Sequence, residues 1–127
     1  MKGIYCLIIK IQKNVSIIIG RLGKIKFEKG YYTYVGSAQN NLEKRIERHL
    51  RKNKKKFWHI DYLLENPNVE IKEVLSKKAS KTKECEMARK IRSFGVPVKN
   101  FGCSDCNCES HLFKINDIKQ LKSLFII

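Results

Sequence analysis

Tyrosine and arginine side chains are concentrated in one stretch of the chain, GYYTYVGSAQNNLEKRIERHL, which runs from residue 30 to residue 50. Three tyrosines lie within five residues, and Arg45, Arg48 and His49 follow on a segment with helical apolar spacing. Guanidinium groups bind phosphate oxygens through paired N–H donors, and a positioned phenol can exchange a proton with water. The stretch therefore combines groups that bind anions with groups that transfer protons.

The segment that carries these arginines is predicted to be a helix. Leu42, Ile46 and Leu50 recur at intervals of four residues and are expected to form its buried stripe. The same spacing places Arg45 and His49 together on a neighbouring face. The predicted helix therefore presents a guanidinium and an imidazole side by side.

A second group of chemically active side chains lies near the end of the chain. Cys103, Cys106, Cys108 and His111 follow the spacing C-x2-C-x-C-x2-H. These are enough ligands for a tetrahedral Zn²⁺ site, although one short loop would have to enclose the ion alone. A redox-sensitive thiol pair, a packing loop and a loop that lines a cleft are the alternatives.

The net charge restricts the kind of partner that the protein has. Lysine and arginine number 27 against 12 aspartate and glutamate residues, which gives a formal charge of +15 in 127 residues. Because so much like charge opposes compaction unless anions offset it, we expect a polyanion as partner, with nucleic acid ahead of an anionic membrane surface. A lysine-rich solvated surface without such a partner is the alternative.

The N-terminal residues MKGIYCLIIKIQ resemble a signal peptide poorly, because Lys10 and Gln12 interrupt the apolar run. No apolar stretch approaches the length of a membrane-spanning helix. We therefore expect a soluble, cytoplasmic protein with no membrane partner. In that compartment clustered cysteines are expected to bind metal or remain reduced.

Periodicity and turn residues divide the chain into short elements. Strands are predicted over residues 3–11, 15–23, 24–30, 31–38, 69–79 and 111–115. Helices are predicted over residues 41–52, 58–66, 81–95 and 116–127, with Asn40 or Asn41 capping the first. The short connection QKN between the first two strands predicts that they form an antiparallel hairpin.

This order of elements predicts an α/β (α+β) fold with a small mixed, mainly antiparallel central sheet flanked by helices. No internal repeat is visible, and no linker is long enough to divide the chain. The protein is therefore expected to be a single domain of residues 1–127.

Two tripeptides in these strands, GIY at residues 3–5 and YVG at residues 34–36, precede a helix that carries an arginine. This combination resembles the GIY-YIG endonuclease superfamily, and YVGSAQNNLEKRIERH resembles the equivalent stretch of the UvrC nuclease domain. The motifs GRLG, GYYTYVGSA, RHL, WHIDYLL and FGCSDCNCESHLF resemble the Uri-type stand-alone branch over nearly the whole chain. The resemblance implies a nuclease core at residues 1–95 and a Cys-rich loop, strand and helix at residues 96–127.

The resemblance also implies a function, the metal-dependent hydrolysis of phosphodiester bonds in DNA, with RNA as a second substrate class and with repair or processing of damaged or branched DNA as the setting. Tyr34 matches the tyrosine proposed as general base, and Tyr5 matches the one that orients water and phosphate. Arg45 matches the arginine that binds the scissile phosphate. His49 falls where the family often has a tyrosine or histidine, and it is expected either to assist proton transfer or to contact phosphate. Gly36 is expected to let the backbone approach closely and turn.

Family members hold one Mg²⁺ or Mn²⁺ ion through a single carboxylate on a later helix, which a hard oxygen ligand suits. That helix is KTKECEMARKI in this chain, and Glu84 is the predicted ligand, with Glu86 as the alternative. The two residues are two positions apart, so only one of them can face the site. A solvated carboxylate that pairs with a neighbouring lysine is the alternative interpretation for both.

A basic segment beyond the helix is predicted to bind the nucleic-acid backbone. Its predicted contact residues are Arg48, Arg51, Lys52, Lys54, Lys55 and Lys56. In the following WHIDY, Trp58 is expected in the core, with stacking on a base as the alternative. His59 and Asp61 either orient catalytic groups or have a structural role, as a buried pair or with Asp61 capping a turn. The cations around Tyr34 are expected to lower the pKa of its phenol from roughly 10.

Two other functions are compatible with the same sequence. The first is a nucleic-acid-binding module that keeps the fold without cleaving its ligand. The second is an interaction protein stabilised by zinc at the cysteine cluster.

Overall fold

The computed structural model of the chain describes residues 2–51, 54–103 and 108–126. Four helices and seven strands lie in this part of the chain. The strands are β1 (Gly3–Ile11), β2 (Val15–Ile18), β3 (Lys24–Phe27), β4 (Gly30–Ala38), β5 (Val69–Lys77), β6 (Val96–Pro97) and β7 (Leu112–Ile115). The helices are α1 (Leu42–Leu50), α2 (His59–Leu64), α3 (Thr82–Arg92) and α4 (Ile118–Ser123).

Five of the strands form one antiparallel sheet in the order β5-β1-β4-β7-β6. The predicted fold class is therefore confirmed. β1 and β4 are neighbours, and their register places Tyr5 opposite Gly36 and Leu7 opposite Tyr34. The two tripeptides singled out in the sequence thus lie side by side in the sheet, as predicted.

The sheet is covered on both faces, which explains why β1 is an almost unbroken apolar run. Alternate side chains of a strand point to opposite faces. Tyr5 and Leu7 join a core with residues of α1 and α2, while Ile4 and Cys6 join a second core with residues of α3. The end of β4 therefore lies between two layers of helices.

The predicted hairpin of the first two strands is wrong. β2 pairs with β3 in a separate two-stranded sheet, and the neighbours of β1 are β4 and β5. β2 is also shorter than predicted, because residues 20–22 form a 3-10 turn. The side chains of β2 alternate between half-buried and exposed. This strand is therefore buried on one face only, unlike β1.

Helix α1 begins where the sequence predicts, since the Asn41 side chain accepts a hydrogen bond from the backbone N–H of Lys44 at 3.0 Å. It ends at Leu50, two residues earlier than predicted, because Arg51 has extended backbone angles. Leu50 was predicted to be buried and is instead 53% exposed. No helix in the described ranges combines the length and apolar character needed to cross a bilayer.

Candidate active site

The residues singled out in the sequence converge on a cleft of about 390 Å³ at the end of β4. Tyr5 comes from β1, Tyr34 and Gly36 from β4, Arg45 from α1 and Glu84 from α3, and all five line the cleft. These elements are distant in the chain, so only the sheet and its two helical layers bring the side chains together.

Tyr5 and Gly36 fit together across the two central strands. The ring of Tyr5 lies over Gly36, and a β-carbon at position 36 would overlap the hydroxyl end of that ring. Gly36 is therefore needed for close approach, as predicted. It is not a turn, because β4 continues for two more residues to Ala38.

Tyr5 and His49 share a buried hydrogen bond of 2.6 Å between the phenol oxygen and Nε2. His49 is only 2% exposed. Burial lowers the pKa of His49 to about 4, with the nearby cations of Lys54 and Arg45 acting in the same direction. The imidazole is therefore neutral at physiological pH, and burial makes it a weaker base than an ordinary histidine.

The other ring nitrogen of His49, Nδ1, is buried and has no hydrogen-bond partner among the described residues. The ring of Tyr34 meets that of His49 edge-on, at 6.2 Å between centroids. Tyr5, His49 and Tyr34 thus form one aromatic cluster below the cleft.

The predicted lowering of the Tyr34 pKa is wrong. Burial raises the pKa of Tyr34 well above 10, and the charges of Tyr5, Glu84 and Asp61 add to this effect against Arg45. Burial likewise raises the pKa of Tyr5, although Arg45 opposes it by charge and hydrogen bonding. Most of the basic residues lie in solvent, where they affect a buried phenol weakly. Both tyrosines are therefore protonated in this structure.

Arg45 is fixed at the wall of the cleft by two contacts. Its Nη1 donates to the carbonyl oxygen of Ser37 at 3.0 Å, and its guanidinium lies 4.4 Å from the ring centroid of Trp58. These contacts position a cation beside Tyr5 and Tyr34, where an anionic ligand in the cleft would meet it.

The two candidate carboxylates face different surroundings. Glu84 lines the cleft, where it accepts hydrogen bonds from Ser37 Oγ at 2.7 Å and from His111 Nδ1 at 2.9 Å. Glu86 is not among the described residues that line the cleft, and it pairs with Lys83 at 3.1 Å. The structure thus places Glu84, and not Glu86, at the candidate site.

Glu84 is held in its ionised form although it is largely buried. Burial acts to raise the pKa of Glu84, but the hydrogen bonds from His111 and Ser37 outweigh it, and the pKa is lowered below its ordinary value. A carboxylate therefore faces the cleft at neutral pH.

Asp61 has a structural role, but its partner is Arg48, which the sequence did not suggest. Both terminal nitrogens of Arg48 donate to Asp61, at 2.9 and 3.0 Å, and Asp61 also accepts from the backbone N–H groups of Phe57 and Trp58. Burial acts to raise the pKa of Asp61, but the hydrogen bonds from Arg48, Trp58 and Phe57 together with the charge of Arg48 outweigh it, and the pKa is lowered. Arg48 therefore fixes α1 against α2, and its contact with nucleic acid stays a prediction.

The remaining basic residues of the predicted nucleic-acid surface differ in what they contact. Arg51 and Lys55 are exposed, and Lys52 lies outside the described residues. Lys54 donates to the carbonyl oxygens of His49 and Arg51 at the end of α1, at 3.0 and 2.6 Å. Lys56 pairs with Glu65, the residue that follows α2, at 3.0 Å.

His59 also helps to shape the site, by holding a loop against Tyr34. Its Nδ1 accepts the backbone N–H of Gly102 at 2.9 Å. Gly102 has a φ of 75°, and a β-carbon there would lie 3.3 Å from the ring of Tyr34. Trp58, predicted as a core residue, is partly buried against the core and also lines the cleft.

The predicted metal-ligand set at the cysteine cluster needs correction. Among the residues that the structure describes, the ligand atoms of Cys85, Cys108 and His111 lie within 4.8 Å of one another. This group could hold a metal ion. Cys103 is not part of it and contacts the carbonyl oxygen of Phe101 at 3.5 Å, and Cys106 lies outside the described residues.

Cys85 is the residue that sequence reasoning missed. It lies on α3, far along the chain from the cluster, so a search for closely spaced ligands could not find it. The available signal was its position directly after Glu84, on the helix already predicted to reach the site.

The fold and the cleft define a small α/β protein in which two tyrosines, an arginine and a carboxylate surround one cavity. The chain belongs to the family described as domain of unknown function DUF123, whose family model matches residues 4–126. No curated protein and no solved structure matches the chain. The matched range contains all of the residues described above as the candidate site.

Proposed function

We propose that this protein is a divalent-metal-dependent endonuclease of the GIY-YIG type, which hydrolyses phosphodiester bonds in DNA. The observation that carries the proposal is the convergence of Tyr5, Tyr34, Arg45 and Glu84 on one cleft. Phosphodiester hydrolysis requires a cation for the phosphate, a group that accepts a proton from water, and charge stabilisation of the leaving oxygen. The cleft has a candidate for each.

Glu84 is the proposed ligand for Mg²⁺ or Mn²⁺. Its carboxylate is ionised, and it is the only acidic side chain among the described residues that line the cleft. Hard cations of this kind take one or two protein carboxylates and keep several waters, so the donor set fits. A cation bound there supplies charge stabilisation for the leaving oxygen.

Arg45 is the proposed phosphate-binding group. Its guanidinium is held by Ser37 and Trp58 at the wall of the cleft, so it is already ordered when the anion arrives. A planar guanidinium can donate to two non-bridging oxygens at once.

The proton acceptor is proposed to be the hydrogen-bonded pair of Tyr5 and His49. Because the pKa of Tyr34 is raised, its phenol is better suited to donating a hydrogen bond to water or phosphate than to acting alone as a base. Tyr5 is hydrogen-bonded to the neutral imidazole of His49 at 2.6 Å, so Tyr5 can take a proton from water as it passes its own proton to Nε2. Because burial lowers the pKa of His49 to about 4, this pair is a weak base, and it would act on a water whose own pKa the bound cation lowers.

A nicking assay with Mn²⁺ tests the proposal on supercoiled, branched, uracil-containing and single-stranded DNA. We expect Tyr34→Phe, Arg45→Ala and Glu84→Gln each to lower cleavage by about 100-fold or more. Tyr32→Phe and Glu86→Gln are matched controls on the same strand and helix, since neither side chain lines the cleft among the described residues. Cleavage that survives all three site substitutions would show that the site or the activity is misassigned. Binding without cleavage would favour a nucleic-acid-binding module.

For the second metal site, we propose that Cys85, Cys108 and His111 take Zn²⁺. Two thiolates and an imidazole are the donors that zinc prefers, and a fourth position can be filled by water. Elemental analysis of protein purified under reducing conditions should find about one zinc per chain, lost in Cys108→Ser and kept in Cys103→Ala. A different metal at one equivalent would reject zinc and keep the site.

A further inference from the structure

Two cavities lie on either side of α3, and consecutive residues of that helix face them. Glu84 lines the candidate active cleft. Cys85 lines a separate groove of about 320 Å³, together with Cys108. The proposed catalytic ligand Glu84 and the proposed zinc ligand Cys85 are therefore adjacent in the chain but line different cavities.

His111 contacts Glu84 and lies close to the two cysteines. It is 2% exposed, so its ring is enclosed by protein. Its Nδ1 lies 2.9 Å from Glu84 Oε2 and 3.2 Å from the carbonyl oxygen of Val35. The same side chain belongs to the cluster with Cys85 and Cys108.

The partners of Nδ1 determine which nitrogen of His111 is available to a metal. An ionised carboxylate and a carbonyl oxygen both accept hydrogen bonds, so Nδ1 must carry the proton that it donates. Nε2 of the neutral ring then has the lone pair. Metal-bound histidines commonly donate their second N–H to a carboxylate, which fixes both groups.

We propose that His111 is a positioning residue, which transmits zinc occupancy at the Cys85–Cys108–His111 cluster to the carboxylate of Glu84. With Nε2 bound to zinc, His111 has one orientation and its Nδ1–H holds Glu84 Oε2 toward Ser37. Without zinc, no metal at Nε2 fixes the tautomer and orientation of the ring, so the hydrogen bond from Nδ1 holds Glu84 less tightly. The inference rests on the proposed function, because Glu84 is taken there as the ligand of the catalytic cation.

The measurement is the affinity of the cleft for Mn²⁺, read by electron paramagnetic resonance of free Mn²⁺, without nucleic acid and without cleavage. Wild-type protein is compared as purified, after zinc removal with a chelator, and after reloading with one equivalent of zinc. Loss of the partner of a metal ligand typically weakens metal affinity 10- to 100-fold, so we expect about a 10-fold loss on removal and recovery on reloading. Co²⁺ in place of zinc should give the absorption of a tetrahedral thiolate site.

Variants separate the two sites. Cys108→Ser should reproduce the weakened Mn²⁺ binding of the zinc-free protein, whereas Cys103→Ala should keep wild-type affinity. Glu84→Gln should abolish Mn²⁺ binding and keep zinc, which shows that Mn²⁺ reports on the cleft. If Cys108→Ser does not fold, the stripped and reloaded wild type still decides the question.

The possible failures can be told apart. Unchanged Mn²⁺ affinity after zinc removal would overturn the coupling, as would a protein that binds no zinc or that joins Cys85 and Cys108 in a disulfide under reducing conditions. Mn²⁺ binding that depends on zinc, in a protein that cuts no DNA, would keep the coupling and reject the nuclease. DNA cleavage that does not change when zinc is removed would reject the coupling and keep the nuclease.

Discussion

At the scale of single residues, the position of Tyr5 depends on the absence of a side chain at position 36. Gly36→Ala should push the Tyr5 ring aside and break its bond with His49. Overpacking of this kind costs about 1–3 kcal/mol of stability. Urea unfolding should show that loss, with DNA cleavage reduced more than stability alone explains.

A double-mutant cycle controls this prediction. In a Tyr5→Ala background there is no ring to overlap, so Gly36→Ala should be much less costly there than in the wild type. Equal costs in the two backgrounds would mean that the substitution acts through something other than Tyr5.

His49 should make the protein less stable as the pH falls from neutrality. Its pKa is about 4 in the folded state, against about 6.5 unfolded, so between these values the unfolded state binds more protons and stability rises with pH. The full difference is on the order of 3 kcal/mol, complete only below pH 4. Urea unfolding from pH 7 to pH 5 should show part of it.

The variant that tests the assignment is His49→Gln, which cannot titrate. It should flatten the pH dependence between pH 7 and pH 5. His59→Gln is the comparison, since burial also lowers the pKa of His59, but this side chain is less buried. A His49→Gln protein with the wild-type pH profile would contradict the prediction.

At the scale of elements, Asp61 holds α1, α2 and the segment before α2 together. Asp61→Asn removes the charge that Arg48 pairs with and should destabilise the protein by about 3 kcal/mol, because a buried partner is lost. The exposed pair of Lys56 and Glu65 is the control, and Glu65→Gln should cost less than about 1 kcal/mol. Guanidinium denaturation of both variants measures the difference, and equal costs would contradict the structural role of Asp61.

The elements also show what local sequence can predict and where it fails. Strands β1 and β4 and the start of α1 follow from β-branched runs and from the cap at Asn41, which are local signals. The partner of β2 depends on which edges of β1 are already paired, and β4 and β5 occupy both. The exposure of Leu50 depends on where α1 ends, at Arg51. Neither can be read from spacing alone.

The candidate site likewise combines features that the sequence predicts with features that depend on the tertiary structure. Tyr5, Tyr34 and Arg45 were identified because their motifs resemble those of a known family, and the structure brings them to one cleft. The choice of Glu84 over Glu86 and the position of Cys85 depend on how α3 packs against β4. The pKa of Tyr34 was predicted in the wrong direction because burial, which only the tertiary structure reveals, outweighs nearby charge.

At the scale of the whole molecule, the charge of +15 should make DNA binding strongly dependent on salt. Each phosphate contact contributes about 0.9 to the slope of log affinity against log salt, so removing the exposed Arg51 and Lys55 together should lower the slope by about 1.8. Fluorescence anisotropy on unrelated duplexes should show the same loss for each, because phosphate contacts carry no sequence information.

Alanine at Lys90 and Lys119, exposed on α3 and α4, removes the same charge from the opposite face. An equal change in slope there would mean that net charge, and not the surface beyond α1, governs binding.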